Sequence, residues 1–353
     1  MTRPARVIVD TSALQFNLAL VRRHVPNSKI MAIVKADGYG HGVNRVGKAL
    51  ADADAFGVAS IEEAITLREG GSKNPIVLLE GPFERRELEL IKLNRLQAVV
   101  HNHDQLTMLL EEKCDIPVWI KLDSGMHRLG FQVDELESIL TKLNAHRSQI
   151  LCMTHLANAH DKDDENTLKQ TEIFLAATKN FDGEKSIANS AGILGWSVTQ
   201  SDWARPGIML YGVSPFKDKF GAELGLKAAM TVKSAIISIR KIKAGESVGY
   251  GRGFVSSQEM TVGVVAFGYG DGYPRAAGTG TPILVNGKRT RVIGEASMDM
   301  LTVDLTTIPK ASIGDEVTLW GPQLPVEVVA ESANTIPYEL LCRVRMRARY
   351  VES

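Results

Sequence analysis

Ile30-Met31-Ala32-Ile33-Val34-Lys35-Ala36-Asp37-Gly38-Tyr39-Gly40-His41-Gly42 runs from a short apolar stretch into a lysine, and then into a loop with three glycines, a tyrosine and a histidine. A lysine at the mouth of a buried strand is unfavourable unless a site uses it. Desolvation lowers an ammonium pKa and frees the amine to act as a nucleophile toward carbonyls. Glycines let backbone N–H groups come close to an anion such as phosphate. An aldehyde cofactor with a phosphate handle needs that combination, and pyridoxal phosphate is such a molecule. A strand followed by a glycine-rich turn is also common, with Lys35 a solvated loop cation. This segment alone leaves the two readings even.

Working outward, the same rhythm of short apolar run and longer amphipathic stretch repeats. Strands are expected at Ile30–Val34, Ala55–Val58, Ile76–Leu79, Ala98–Val100, Val118–Leu122, Leu151–Thr154, Ser186–Ala188 and Trp203–Arg205. Helix starts lie between them. Ser60-Ile61-Glu62-Glu63 reads as a capping box, Asn102-His103-Asp104 opens a second helix and Asp134-Glu135 a third. Eight such repeats predict an α/β fold, a (β/α)8 TIM-type barrel. A doubly wound sheet is the alternative, but no G-x-G-x-x-G follows any strand.

Beyond Lys227 the pattern becomes strand-like, at Met230–Ile239, Thr261–Ala266, Pro282–Val285, Met300–Asp304 and Glu316–Leu319, with turns such as Asn286-Gly287. The expected division is a barrel over residues 1–226 and a mostly-β domain over 227–353, the N-terminal segment packing with the second domain. A last strand is expected over Arg343–Tyr350, its four arginines on one solvated or salt-bridged face.

The bulk composition narrows the classes. The chain has 353 residues, 44% hydrophobic and 23% charged, with a net charge of zero. No global field draws it to nucleic acid or to an anionic membrane surface, and near-zero charge favours self-association. Cys114, Cys152 and Cys342 lie far apart and form no CxxC pair, which argues against disulfides or a zinc site. No apolar run reaches the roughly 18 residues of a membrane span, and no signal-length apolar segment opens the sequence. A cytoplasmic protein is expected. Asp161 to Asn166 has the acidic character of a calcium loop, but Asn166 stands where that loop needs glycine, so a solvated helix start is the better reading.

Catalytic groups of such barrels gather at the C-terminal ends of the strands. Lys35 and Tyr39 follow the first strand, and Lys121, Asp123 and Arg128 end or follow the fifth. His155 follows the sixth, Asn189 and Ser190 the seventh, and Arg205, Gly207 and Ile208 the eighth.

With those residues in view, the chain resembles the alanine racemase family, fold-type III pyridoxal-phosphate enzymes, along nearly its whole length. The motifs are AIVKADGYGHG from Ala32, KLDSGMHRLG from Lys121, ANSAG from Ala188, RPGIMLYG from Arg205, GYGDGYPR from Gly268 and SMDM from Ser297. The resemblance implies a homodimer that interconverts L- and D-alanine, with Lys35 forming the internal aldimine of pyridoxal 5'-phosphate. Lys35 and Tyr269 would be the two acid/base groups, Tyr269 coming from the partner's second domain. Tyr39, Ser190, Gly207, Ile208 and Tyr338 would hold the phosphate. Arg205 would face the pyridine nitrogen, His155 would lie between Arg205 and Tyr269, and Asn189 would help position the ring. Arg128 would bond the cofactor phenolate and the substrate carboxylate, helped by the Met298 amide. Lys121 matches a lysine often carbamylated in the family, an anion that orients Arg128; as a free amine it would leave Asp123 as the partner. No metal is implied. Glu295 stands where the family often has arginine, which reverses the charge near the access path to Tyr269.

The product would serve peptidoglycan precursor supply, or the enzyme would run toward alanine breakdown. Two other readings keep the barrel. An amino-acid decarboxylase or broad-specificity racemase would use different chemistry, and a non-catalytic pyridoxal-phosphate carrier would need neither Tyr269 nor a second domain.

Overall fold

The computed structural model describes residues 3–144, 149–344 and 347–352. The chain forms two compact units: Gln15–Leu210 with Pro215–Asp218, and Met1–Leu14 with Tyr211–Ser214 and Lys219–Ser353.

After β1 (Arg6–Val9), which belongs to the second unit, the chain builds a closed barrel. Its strands are β2 (Lys29–Ile33), β3 (Ala55–Val58), β4 (Ile76–Leu78), β5 (Leu96–Val100), β6 (Val118–Lys121), β7 (Ile150–Met153), β8 (Lys185–Asn189) and β9 (Trp203–Arg205). Neighbours pair in parallel, and β9 closes on β2 through Lys29↔Trp203 and Ile30↔Ala204. That closure excludes the doubly wound sheet. Parallel strands are covered on both faces, so they read as continuous apolar runs. Accordingly Ile30, Met31, Ala32, Phe56, Val58, Val77, Val99, Trp119 and Ile120 are fully buried.

Helix starts divide into one that follows its sequence signal and one that does not. Asn102 caps the helix His103–Glu111, its side chain accepting from the Gln105 N–H at 2.8 Å. Ser60 makes no cap bond at the helix Ile61–Glu69, so the expected capping box is absent. Glu63 turns elsewhere: its two carboxylate oxygens accept from the Ala36 N–H (2.7 Å) and the Ala59 N–H (2.9 Å).

The second unit is built on an eight-stranded sheet among the described residues. β10 (Met230–Ile242) is its long member, followed by a short hairpin of β11 (Ser247–Val248) and β12 (Phe254–Val255) outside the sheet. β13 (Met260–Val265), β14 (Pro282–Val285), β15 (Lys288–Arg291), β16 (Leu301–Asp304), β17 (Glu316–Trp320) and β18 (Arg349–Glu352) complete it. β1 lies inside this sheet, antiparallel to β10 and parallel to β18, with Arg6 opposite both Lys233 and Arg349.

The expected strand over Arg343–Tyr350 is corrected. Arg343 ends the helix Pro337–Arg343, which proline opens from its first position, and strand begins only at Arg349. Arg345 and Met346 lie outside the described residues. Arg343 and Arg349 thus lie in different elements, Arg343 pairing with Glu339 at 2.7 Å and Arg347 with Asp299 at 2.5 Å. No helix among the described residues is long and apolar enough to cross a membrane.

Candidate active site

Lys35 stands two residues beyond the end of β2 and opens an unusual turn. Ala36, Asp37, Gly38 and Tyr39 all have φ between 52° and 61° with ψ between 43° and 51°, one turn of left-handed helix. Three of them carry side chains, and each such residue costs roughly 1–2 kcal/mol relative to right-handed geometry. Such a conformation persists only where its surroundings over-determine it. Gly38 has to be glycine twice over, since a Cβ would also sit 2.7 Å from Val46 Cγ2. The remaining restraints are hydrogen bonds. The Gly38 N–H donates to the Val34 carbonyl and the Gly42 N–H to the Asp37 carbonyl, both at 2.9 Å. Asp37 accepts from the Val43 N–H at 2.7 Å. His41, fully buried, places Nδ1 3.1 Å from the Gly38 carbonyl and 2.9 Å from the Tyr39 carbonyl. Facing two acceptors, that nitrogen carries the ring proton. Burial pushes the His41 pKa down to about 4, so the ring is neutral near pH 7.

Five basic side chains meet at the same end of the barrel. Lys121, ending β6, is pushed down to about 8, first by burial and then by Arg205, Arg128 and Lys35, with Glu80 opposing. His155, two residues past β7, is held well below the usual histidine range by burial and then by the same cations and Lys121. Arg205, ending β9, is 4% exposed and is lowered to about 10 by burial. It donates to Ser186 Oγ (2.6 Å), to the carbonyls of Thr154 (2.5 Å) and Ile187 (3.3 Å), and to His155 Nδ1 (3.4 Å). A guanidinium only donates, so His155 Nδ1 accepts, and its proton sits on Nε2. Arg128 is exposed and forms no hydrogen bond or ion pair among the described residues. Asp123 is not its partner: Oδ1 accepts from the N–H groups of Gly125, Met126 and His127, and Oδ2 faces His127. So dense a cluster of positive charge requires an anion.

A cradle for one lies beside it. Ser190 follows β8 and is buried; its Oγ accepts from the Gly207 N–H at 2.9 Å and the Met209 N–H at 3.4 Å. A Cβ on Gly207 would lie 2.7 Å from Tyr39 Oη, so only glycine lets that hydroxyl approach the backbone. Ile208 opens the short turn Ile208–Tyr211 and is buried. Asn189 has a different local role, its side chain accepting from the Gly192 N–H at 3.0 Å and capping the next helix. Tyr39, Ser190 and Gly207 thus converge, a few residues from a lysine amine and a cationic field. These residues fit an aldehyde that carries a phosphate.

In the second unit, Tyr269 begins the turn Tyr269–Asp271. Its N–H donates to the Ser297 carbonyl at 3.0 Å, and the Gly270 N–H donates to the Met298 carbonyl at 2.8 Å. The Tyr269 and Met298 segments are therefore tied together, with Met298 53% exposed. Asp271, fully buried, accepts from the Gly268 N–H (2.9 Å) and from Arg3 (2.8 Å), and faces Arg347 at 3.6 Å. Arg3 also donates to the Asp299 carbonyl at 2.8 Å. Tyr338 lies in the helix Pro337–Arg343, its phenol pushed up to about 12 by burial. Glu295 pairs with Arg275 at 2.7 Å. His41, Glu63 and Asp271 stand in stretches quoted from the sequence, but these roles for them, and any role for Arg3, escape that reading because each acts on backbone or on a charge far away in sequence. No set of His, Cys, Asp and Glu side chains among the described residues is arranged to hold a metal ion.

Comparison with known proteins adds an independent line. A profile described as the N-terminal domain of alanine racemase matches residues 9–215, and one for the C-terminal domain matches residues 229–352. Alanine racemase from Vibrio vulnificus (strain CMCP6) is 47% identical over 350 residues, 98% of each chain. That from Nitrosomonas europaea is 49% identical over 360 residues, covering 100% of this chain and 99% of its own. The crystal structure of the biosynthetic alanine racemase of Pseudomonas aeruginosa superposes with a TM-score of 0.97 at 43% identity, covering 100% of both chains. The alanine racemase of Bartonella henselae, solved with covalently bound pyridoxal phosphate, gives 0.91 at 31% identity and 99% coverage of both.

Proposed function

Because this chain belongs to the alanine racemase family, whose members are pyridoxal-phosphate-dependent isomerases, we propose that it interconverts L- and D-alanine with Lys35 and Tyr269 as its two proton-transfer groups. The observation that carries the reading is the gathering of Lys35, Lys121, Arg128, Arg205 and His155 within mutual electrostatic reach at the barrel's strand ends. Racemisation takes a proton from Cα on one face and returns one on the other. An amine and a phenol on opposite faces do this most simply.

Pyridoxal phosphate, when bound, supplies an electron sink for negative charge at Cα. Lys35 would hold it covalently; Tyr39, Ser190, Gly207, Ile208 and Tyr338 would hold its phosphate. Arg205 would face the ring nitrogen, and because it cannot accept a proton it would keep that nitrogen unprotonated. Asn189 would contribute to ring placement through the helix it caps. Arg128, without a hydrogen-bond or ion-pair partner among the described residues, would bind the phenolate and the substrate carboxylate, with the Met298 amide as second donor. A free phenol has a pKa near ~10, so Tyr269 needs help to act as a base. His155 is suited to give it, since its Nε2–H is a donor to phenolate oxygen, oriented from behind by Arg205. Lys121 would bear a carbamate. Its lowered pKa supplies the neutral amine that adds to carbon dioxide with loss of a proton, and the resulting anion would relieve the crowded cations beside Arg128.

Tyr269 would reach the site from a second copy of the chain, so the working form is a homodimer. We infer a cytoplasmic enzyme, in keeping with Cys114, Cys152 and Cys342 forming no disulfide among the described residues, and a role in D-alanine supply for peptidoglycan or in alanine catabolism. The test is chiral chromatography of L-alanine incubated with cofactor-loaded protein. A drift toward equal enantiomers is expected; unchanged L-alanine from protein that binds the cofactor would overturn the assignment.

A further inference from the structure

The left-handed turn after Lys35 raises a question that the chemistry of the site leaves unanswered: what keeps Tyr39 over Gly207. Lys35 stands two residues past β2, at the head of the turn and before its first left-handed residue. Tyr39 lies at the far end of the strained turn, and its hydroxyl reaches Gly207 only while Ala36, Asp37, Gly38 and Tyr39 all stay left-handed. Two side chains outside the proposed chemistry bind that turn at its two ends. Glu63 accepts the Ala36 N–H at 2.7 Å while its other oxygen accepts the Ala59 N–H at 2.9 Å, so one carboxylate ties the start of the turn to the end of β3. His41 closes the other end, with Nδ1–H shared between the carbonyls of Gly38 and Tyr39 at 3.1 and 2.9 Å. Arg45 in turn donates to the His41 carbonyl at 2.6 Å. Neither Glu63 nor His41 is needed to cap a regular helix or to fill an apolar core, and each would form different bonds if the turn were right-handed.

We propose that His41 and Glu63 are positioning residues that lock the left-handed turn, hold Tyr39 over Gly207 and thereby set the affinity for the phosphate end of the cofactor. The inference rests on the reading of Tyr39, Ser190 and Gly207 as the phosphate cradle. Loss of either restraint frees Tyr39 at the far end of the turn, while Lys35 stays at its head, beside the end of β2. The damage therefore falls on recognition of the phosphate and spares capture of the aldehyde.

The experiment strips the full chain of cofactor and titrates it with pyridoxal phosphate and with unphosphorylated pyridoxal, following the visible absorbance of the bound form. His41→Phe keeps the ring's shape and removes the donor; His41→Asn restores an N–H at the same position. His41→Phe is expected to weaken pyridoxal phosphate binding about tenfold or more while pyridoxal changes by less than about threefold. His41→Asn recovers most of the loss, and Glu63→Ala moves in the same direction as His41→Phe. Equal loss for both compounds, or none, overturns the inference. If His41→Phe fails to fold, Glu63→Ala decides by the same ratio. Ser190→Ala separates the two levels: if it leaves the preference for the phosphorylated compound intact, the cradle reading itself fails. If it removes the preference while His41→Phe and Glu63→Ala keep it, only the lock fails.

Discussion

In the barrel unit, Lys35 heads a turn held in left-handed geometry by side chains that bond only to backbone: the carboxylates of Glu63 and Asp37 and the buried, uncharged imidazole of His41. In the second unit, Tyr269 heads a turn fixed by charge: buried Asp271 takes bonds from Arg3 and the Gly268 N–H and faces Arg347. Each turn presents one of the two proposed proton-transfer groups, yet one is secured through bonds to backbone and the other through ion pairs. The Lys35 turn lies among Lys121, Arg128, Arg205 and His155. A further buried ion pair there would either add to the repulsion or cancel the field that attracts an anion. Side chains that bond to backbone groups hold the strained turn without pairing any of those cations. No such crowd surrounds Asp271, so ion pairs serve. The lesson is that ion pairs serve as scaffolding where the cations are not already committed to binding.

The comparison can be broken most directly at the two reactive groups. Lys35→Ala and Tyr269→Phe are each expected to lower kcat by about 10²–10⁴-fold, while a mixed dimer of the two variants regains part of the activity in one repaired site. Lack of rescue would mean that each chain supplies both turns to its own site. Next in size is Asp271→Asn, which takes the charge from a buried carboxylate while Arg3 and Arg347 keep their contacts to Asp299. A loss of about 1.5–3 kcal/mol is expected in denaturant unfolding, and a loss below about 1 kcal/mol would remove ion pairing as the support of the Tyr269 turn.

Acid sharpens the contrast. The folded His41 pKa of about 4 lies below the unfolded value of 6.5. Between those limits the unfolded chain binds the proton and the folded chain does not, so stability falls as pH drops through 6.5 and the loss is complete near 4. The full effect is about 3 kcal/mol, from about 1.4 kcal/mol per unit. His41→Asn should flatten that stretch of the stability curve, and an unchanged slope would refute the neutral, buried imidazole. The smallest effect is expected from Ala36→Gly, which relieves a left-handed alanine at φ 54° and should stabilise by about 0.5–1 kcal/mol. A destabilised variant would show that the turn carries no strain at Ala36.

How far the sequence discloses this arrangement depends on the range of each interaction. The barrel is legible because buried parallel strands force continuous apolar runs such as Ile30–Val34 and Val118–Ile120. The residues at the strand ends are legible through their chemistry and their order. The left-handed turn is not, because Ala36, Asp37 and Tyr39 have no propensity for that conformation and adopt it only under tertiary restraint. Glu63 misleads for the same reason: its spacing from Ser60 suits a capping box, but the Ala36 N–H competes for its carboxylate. The alternating arginines before Tyr350 suggest a strand, whereas Pro337 has already committed Arg343 to a helix. Arg3 and Asp271 stand 268 residues apart, beyond the reach of any local pattern.

β1 carries a consequence for how the molecule is made. It emerges from the ribosome before any barrel strand, yet both of its sheet partners, β10 and β18, are synthesised after the barrel is finished. β1 therefore waits with both hydrogen-bonding edges open while the residues of the barrel pass out behind it. Chains fold by domain during synthesis, and unpaired strand edges invite association. A ribosome that stalls between the barrel and β10 would expose Arg6–Val9 without its partners, so for this chain the pace of translation matters most in the stretch just after the barrel is complete.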